Sequence, residues 1–216
     1  MNTEKLKQVL SNPLRIFLPL ITRLPYFRFL RDTFDYQCRI TFGDWFMQRF
    51  YRRPGHRKAY WPIHPTSIVL DWQNIYAGVD SCPGLSIGNY IQGMGGIYIG
   101  DYTRIAPNVG IISGNHDLYD IRKHVKKKVI IGKYCWIGMG VIILPGVELG
   151  DFTIVAAGSI VTKSFTDGYC MIAGNPAKVI KNMDKEKCVP YKHKIEYLGY
   201  IRKDKFESFR KRKLNF

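Results

Sequence analysis

The chain has 216 residues, 46% hydrophobic and 14% aromatic, enough to bury one core with modest extensions, and this excludes disorder along its whole length. Its net charge of +16 sits at the ends: residues 1–60 and 176–216 each carry a net +8, while 61–175 is neutral. Basic arms of this kind suit anionic partners such as phosphate groups, a membrane surface or an acidic polymer, or simply keep surface helices soluble.

The first stretch, "MNTEKLKQVLSNPLRIFLPLITRLPYFRFL", has no cleavable signal pattern, because Arg15, Pro19 and Arg23 interrupt a short apolar run. It is too short and too charged to span a bilayer. With Phe17, Leu18, Leu20, Ile21, Tyr26 and Phe27 it fits a membrane surface, and it fits packing against its own protein equally well. The five cysteines are odd in number and form no CxxC pair, so neither a disulfide framework nor a zinc ribbon is expected, and a reducing, cytoplasmic setting is.

From Ile63 an aliphatic residue returns every six positions: Val69, Ile75, Ile87, Ile99, Ile105 and Ile111, with Ser81 and Gly93 as exceptions. The count restarts at Ile131 and runs through Ile137, Ile143, Leu149, Val155 and Val161. Four residues after the markers stand Thr103, Val109, Cys135, Val141, Val147, Thr153 and Ser159, all small or β-branched, and Gly or Ala often follows a marker directly. Six-residue spacing cannot place a stripe on one helical face, whereas a short strand plus a tight corner repeats at that period. The expected fold is therefore all-β: three hexapeptides per coil, with the markers filling the interior.

Between Ile111 and Ile131 the repeat breaks, and "SGNHDLYDIRKHVKKK" has no side chain suited to the interior. We read it as an excised coil that leaves the stack as a loop over 113–128, placing His116 on the surface. Imidazole, with a reference pKa of roughly 6.5, accepts a proton near neutrality. An ordinary loop histidine fits the residues alone as well as a catalytic one does. Asn115 and Asp117 flank it, as helpers or as turn formers. His64 reads as structural and His124 as part of a solvated basic run.

The stretches "YIGDYTRIAPNVGIISGNHD" and "VIIGKYCWIGMGVIILPGVELGDFTIVAAGSIVTKSF", followed by "MIAGNPAKVIK", resemble the left-handed β-helix (hexapeptide-repeat) acyltransferases. Within that family the nearest look is of the maltose and galactoside acetyltransferases and of those modifying surface glycans. The resemblance covers about residues 61–182. It implies a left-handed parallel β-helix, a homotrimer, and direct transfer of an acetyl group from acetyl-CoA to a sugar hydroxyl with His116 as general base. It also implies a CoA slot formed by Trp136, Gly138, Met139, Ala157, Thr162 and Lys163, with Lys178 and Lys181 meeting the nucleotide phosphates. Gly138 and Ala157 are equally what a tight corner wants. Trp136 follows the inward Cys135 and so should face outward, toward CoA or a neighbouring subunit.

The arms depart from the maltose and galactoside enzymes. "FGDWFMQRFYRRPGHRKAYWPIH" is basic and aromatic, and this favours an anionic or lipid-linked glycan as acceptor, at the inner membrane face. Asn89 is a candidate sugar ligand, and Tyr90 and Tyr98 candidate stacking partners. The expected division is a basic aromatic N-terminal extension over 1–60, a catalytic β-helix over 61–175 and a basic C-terminal extension over 176–216, both extensions with short helices. No metal is expected, since His64, His116 and His124 do not sit at the spacing of a three-histidine zinc site. No motif points to nucleic acid. The alternatives are an antibiotic or serine acetyltransferase and a non-catalytic β-helix scaffold.

Overall fold

The computed structural model describes residues 22–50 and 54–216. The expectation for Phe17, Leu18, Leu20 and Ile21 lies outside the described residues. Among those described, no helix is long and apolar enough to cross a membrane.

The chain winds through three parallel sheets in turn. The first holds β1 (Ile68–Leu70), β3 (Tyr90–Gln92), β6 (Gly110–Ile112), β11 (Ile142–Ile143) and β14 (Ile160–Val161), stacked in that order. The second stacks β2 (Ile75–Ala77), β4 (Ile97–Ile99), β9 (Val129–Ile131) and β12 (Glu148–Leu149). The third stacks β5 (Arg104–Ile105), β10 (Trp136–Ile137), β13 (Ile154–Val155) and β15 (Cys170–Gly174), and closes with an antiparallel strand, β16 (Ala177–Asn182). This is a β-helix, and its interior is built from the expected columns: Ile99, Ile111, Ile131, Ile137, Ile143 and Val161 are wholly buried.

The six-residue register holds from Ile99 onward, but not before. Val69 lies opposite Ile91, Ala77 opposite Ile99 and Ile91 opposite Ile111, so the first coil is four residues, and the next step two residues, longer than the eighteen-residue coils beyond the hairpin. A 3-10 turn over Trp72–Asn74 takes up part of the excess. The interior markers of these coils are therefore Val69, Ala77, Ile91 and Ile99. Ile87, counted as a marker from the sequence, is 51% exposed. Ser81 drops into the small column instead. Its hydroxyl donates to the Gly100 carbonyl at 2.9 Å and accepts from the Thr103 N–H at 2.9 Å.

One corner carries a feature with its own chemistry. Tyr102, Tyr134, Phe152 and Tyr169 each adopt positive φ, between 47° and 61°. Their rings stack in a ladder, with centroids 5.3, 4.8 and 5.1 Å apart. A left-handed backbone costs a non-glycine residue on the order of 1 kcal/mol, and each aromatic pair returns a comparable amount.

The C-terminal arm runs back down this ladder. Lys185 lies over Tyr169, Tyr191 packs on Tyr102, and His193 stacks on Tyr36 at 3.9 Å. The arm then forms β17 (Tyr197–Leu198), β18 (Ile201–Arg202) and the helix Lys203–Lys213. The N-terminal arm contributes α1 (Phe29–Asp32), α2 (Phe42–Phe50) and α3 (Pro54–Lys58), so the C-terminal helix is α4.

Both arms close the first end of the stack, where an open coil would expose its core to water. Tyr60 and Trp61 plug it. Buried Gln48 then satisfies the loose backbone there: its amide donates to the His56 and Trp61 carbonyls at 2.9 and 3.0 Å. Its oxygen accepts from the Ile63 N–H and the Tyr200 hydroxyl at 2.9 and 3.0 Å.

Candidate functional site

The break in the repeat is an antiparallel hairpin of β7 (Gly114–His116) and β8 (His124–Lys126). No coil has been excised. Ile111 ends on the first sheet and Ile131 on the second, which is an ordinary corner step with a hairpin inserted.

The coil below fastens the base of this hairpin. Ser113 Oγ donates to the Gln92 carbonyl at 2.6 Å, and the Gly114 N–H donates to Gln92 Oε1 at 3.0 Å. The Lys127 N–H returns to the Ser113 carbonyl at 2.9 Å. A side chain at Gly95 would meet the Ser113 carbonyl at 2.1 Å, so only glycine lets the two segments approach this closely. Sequence reading gave Gln92 and Ser113 no role.

His116 lies opposite His124, with ring centroids 4.6 Å apart. Its Nδ1 is 2.5 Å from the Ile121 carbonyl. A carbonyl only accepts, so Nδ1 carries the proton and Nε2 keeps a free lone pair. Asp117 does not touch the ring. Its Oδ1 accepts from the Tyr119 and Asp120 N–H groups at 2.9 and 3.0 Å, an Asx turn that shapes the hairpin tip. Asn115 is exposed and, one residue from His116 in a strand, points to the other side.

The third sheet carries three of the expected CoA residues, Trp136, Lys178 and Lys181. Trp136 is 56% exposed and outward, while Cys135 is buried. An outward row runs across the strands from Arg104 through Trp136, Ile154 and Met171 to Lys181. Lys178 lies opposite Ala173. Residues three apart in a regular strand face opposite ways, but a bulge between Met171 and Ile172 puts Lys178 and Lys181 on the same outer face.

Met139 and Ala157 occupy the corner at the edge of this face, both exposed. The Met139 carbonyl is taken by the Gly158 N–H at 2.8 Å, whereas among the described residues the Met139 and Ala157 N–H groups carry no hydrogen bond. Gly138 is buried beneath them, and a Cβ there would meet the Ala157 nitrogen at 2.7 Å. Thr162 and Lys163 lie one corner further on, after β14, and Lys163 rests over the Phe165 ring.

One acceptor expectation is corrected. Asn89 is buried in the small interior column, where its amide donates to the Ala106 carbonyl at 2.9 Å, so it faces away from any sugar. Tyr98 already stacks on Tyr76 at 4.5 Å, nearly coplanar. Tyr90 remains partly exposed.

Sequence reading also missed a polar hub. Asp80 is fully buried and receives Arg104 Nη2 at 3.0 Å, His193 Nε2 at 3.0 Å and the Cys38 N–H at 2.9 Å. Arg104 also donates to the Cys38 sulfur at 3.0 Å. The hub joins both arms to the coil. No local pattern announces it, because the partners of Asp80 are 24 to 113 positions away.

The repeat and its hairpin define a class by architecture, a β-helix of hexapeptide repeats. Residues 128–163 match the family model described as bacterial transferase hexapeptide (six repeats).

The chain is similar to the galactoside O-acetyltransferase of Lactococcus lactis, 36% identical over 45% of this chain and 48% of that one. It is also similar to an Escherichia coli K12 chain provisionally named as a lipopolysaccharide biosynthesis O-acetyl transferase, 33% identical over 45% of this chain and 56% of that one. Among solved structures, a galactoside acetyltransferase in complex with coenzyme A aligns with TM-score 0.53 and 25% identity over 69% of this chain and 82% of that one. The matched stretch spans about half the length of the curated relatives.

Proposed function

We propose that this chain is an acetyl-CoA-dependent O-acetyltransferase acting on a sugar hydroxyl, in a surface-polysaccharide or lipopolysaccharide precursor. The observation that carries this reading is the His116 ring, fixed by the Ile121 carbonyl with Nε2 left free as a base on a hairpin outside the coil. The relatives' names, and the coenzyme A in the aligned galactoside acetyltransferase, support the donor. In this reading the coil is left-handed, and the chain divides into arms over 1–60 and 176–216 around a catalytic 61–175.

Acetyl-CoA supplies an activated acetyl thioester. His116 Nε2 accepts the proton of the acceptor hydroxyl as its oxygen adds to the carbonyl carbon, then returns that proton to the departing thiolate. Trp136 lies along the arm of the donor. The unbonded N–H groups of Met139 and Ala157 fit its amide carbonyls. Lys178 and Lys181, aligned by the bulge, meet the phosphates, and Thr162 and Lys163 extend the slot around the corner. Holding both substrates supplies much of the rate, and no acyl-enzyme is needed.

A homotrimer completes the site. Leu118 and Tyr119 at the hairpin tip are 91% and 98% exposed, and such apolar tips suit burial against a second copy, bringing His116 to that copy's Trp136 face. The acceptor glycan is lipid-linked, and the basic arms keep a cytoplasmic enzyme at the inner membrane face.

The test is acetyl transfer from labelled acetyl-CoA to a glycan panel, read by mass. Transfer by wild type and its loss in His116→Ala is the expected result. An absence of transfer to every sugar, with acetyl-CoA bound, would favour a binding scaffold.

A further inference from the structure

A cavity of about 440 Å³ lies between the two arms and away from the coil faces described above. Arg28 and Arg49 of the N-terminal arm line it, facing Arg202 and Lys205 of the C-terminal arm. Among the described residues, no carboxylate lines it. Arg202 is paired with Asp204, and Arg49 lies over the Tyr200 ring and donates to the Arg57 carbonyl. Arg28 and Lys205 have no ion-pair partner among the described residues.

Asp204 neutralises Arg202, and the three remaining cations around one concave space repel one another unless an anion sits between them. The walls are set firmly enough to hold one: Tyr200 donates to Gln48, and Tyr197 donates to Asp32 at 3.0 Å. The guanidinium fork of Arg28 and the ammonium of Lys205, neither of them ion-paired among the described residues, match the oxygens of a phosphate, which accepts bidentate bonds from arginine, and Arg49 and Arg202 add positive charge to the wall. Tyr26, on the rim, leads to Trp45 at 6.0 Å, so the phosphate end of the cavity opens beside aromatic surface.

We propose that this cavity binds the phosphate or diphosphate group of a phosphate-bearing ligand, held jointly by the two arms. Its assignment to the carrier phosphate of the acceptor rests on the transferase reading above; the binding itself does not.

The experiment measures pyrophosphate and inorganic phosphate binding to the full chain by calorimetry at low salt. It compares wild type with Arg28→Gln/Lys205→Gln and with a control of equal charge loss, Lys211→Gln/Lys213→Gln. All are exposed positions, and thermal melts check folding. Saturable pyrophosphate binding that weakens at least ~10-fold in the first variant and stays near wild type in the control is expected. No saturable binding by wild type, or equal losses in both variants, overturns the proposal.

Sedimentation with phosphatidylglycerol and phosphatidylcholine vesicles separates the sources. Loss of phosphatidylglycerol binding together with pyrophosphate binding marks a lipid-borne phosphate, and retained vesicle binding marks a soluble one. His116→Ala should bind pyrophosphate normally, so a failure of acetyl transfer leaves this result readable.

Discussion

Nδ1 of His116 is hydrogen-bonded to the Ile121 carbonyl five residues along the same hairpin, and this one bond decides which ring nitrogen can take a proton. His116→Ala is expected to lower kcat by about 10²–10⁴-fold, the usual worth of a general base, with the melting temperature unchanged. Turnover within a few-fold of wild type would remove His116 from the mechanism.

Lys178 and Lys181 share the outer face of β16 only because of the bulge. Replacing both by Ala should raise KM for acetyl-CoA about tenfold and leave kcat nearly intact. The same substitutions should matter less with a donor lacking the 3′-phosphate. An equal effect on both donors would detach the lysines from the nucleotide phosphates.

Gly138 and Gly158 occupy matching corners but differ in surroundings. A Cβ at Gly138 meets backbone at 2.7 Å, whereas one at Gly158 meets nothing within 4 Å despite a φ of +69°. Gly138→Ala should cost about 1–3 kcal/mol by forcing adjacent coils apart. Gly158→Ala should cost about 1–2 kcal/mol from backbone strain alone. Chemical denaturation of the two variants checks the order, and a larger loss at Gly158 would contradict it.

Gln48 joins the capping arm to the coil through buried partners on both sides. Gln48→Leu should destabilise by about 3 kcal/mol or more, since each buried group left unpaired costs about 1–3 kcal/mol. The readout is urea unfolding; a change below about 1 kcal/mol would mean that water replaces the amide.

Glu196 accepts from the Tyr102 hydroxyl at 2.7 Å and from Lys203 at 2.6 Å. Partial burial pushes its carboxyl up, but the bonds from Lys203 and Tyr102 outweigh this and hold it below its ordinary value. A carboxylate lowered in the folded state stabilises above its unfolded pKa and loses that contribution as pH falls through the folded one. Thermal melts from pH 7 to pH 3 should therefore show a steeper acid loss for wild type than for Glu196→Gln. Parallel curves would count against the pairing.

How far the sequence reached is plain from single positions. Ile99, Ile131 and Leu149 were readable as core because each coil face needs a filled interior position every six residues, a strictly local demand. The aromatic ladder has a local component too, since Tyr102, Tyr134 and Phe152 each follow such a marker by three. Ile87 misled because the count ran on through coils that are longer. An insertion at a corner changes the phase without changing residue type, and only strand pairing reveals it. Asn89 misled for the same reason, its place in the interior column following from the pairing of Tyr90 with Gly110.

By itself, then, the sequence determined the repeat, the sheet architecture, the hairpin's position and the identity of its histidine, all written in contacts between neighbours along the chain. The tertiary structure decided the phase of the first coils, the anchoring of the hairpin on Gln92, the shared face of the two lysines and the Asp80 hub. It also decided the cavity between the arms. Except for the lysines, whose bulged strand pairs with its immediate neighbour, each of these depends on residues about twenty to more than a hundred positions apart, where burial and pairing, not local period, select the neighbour.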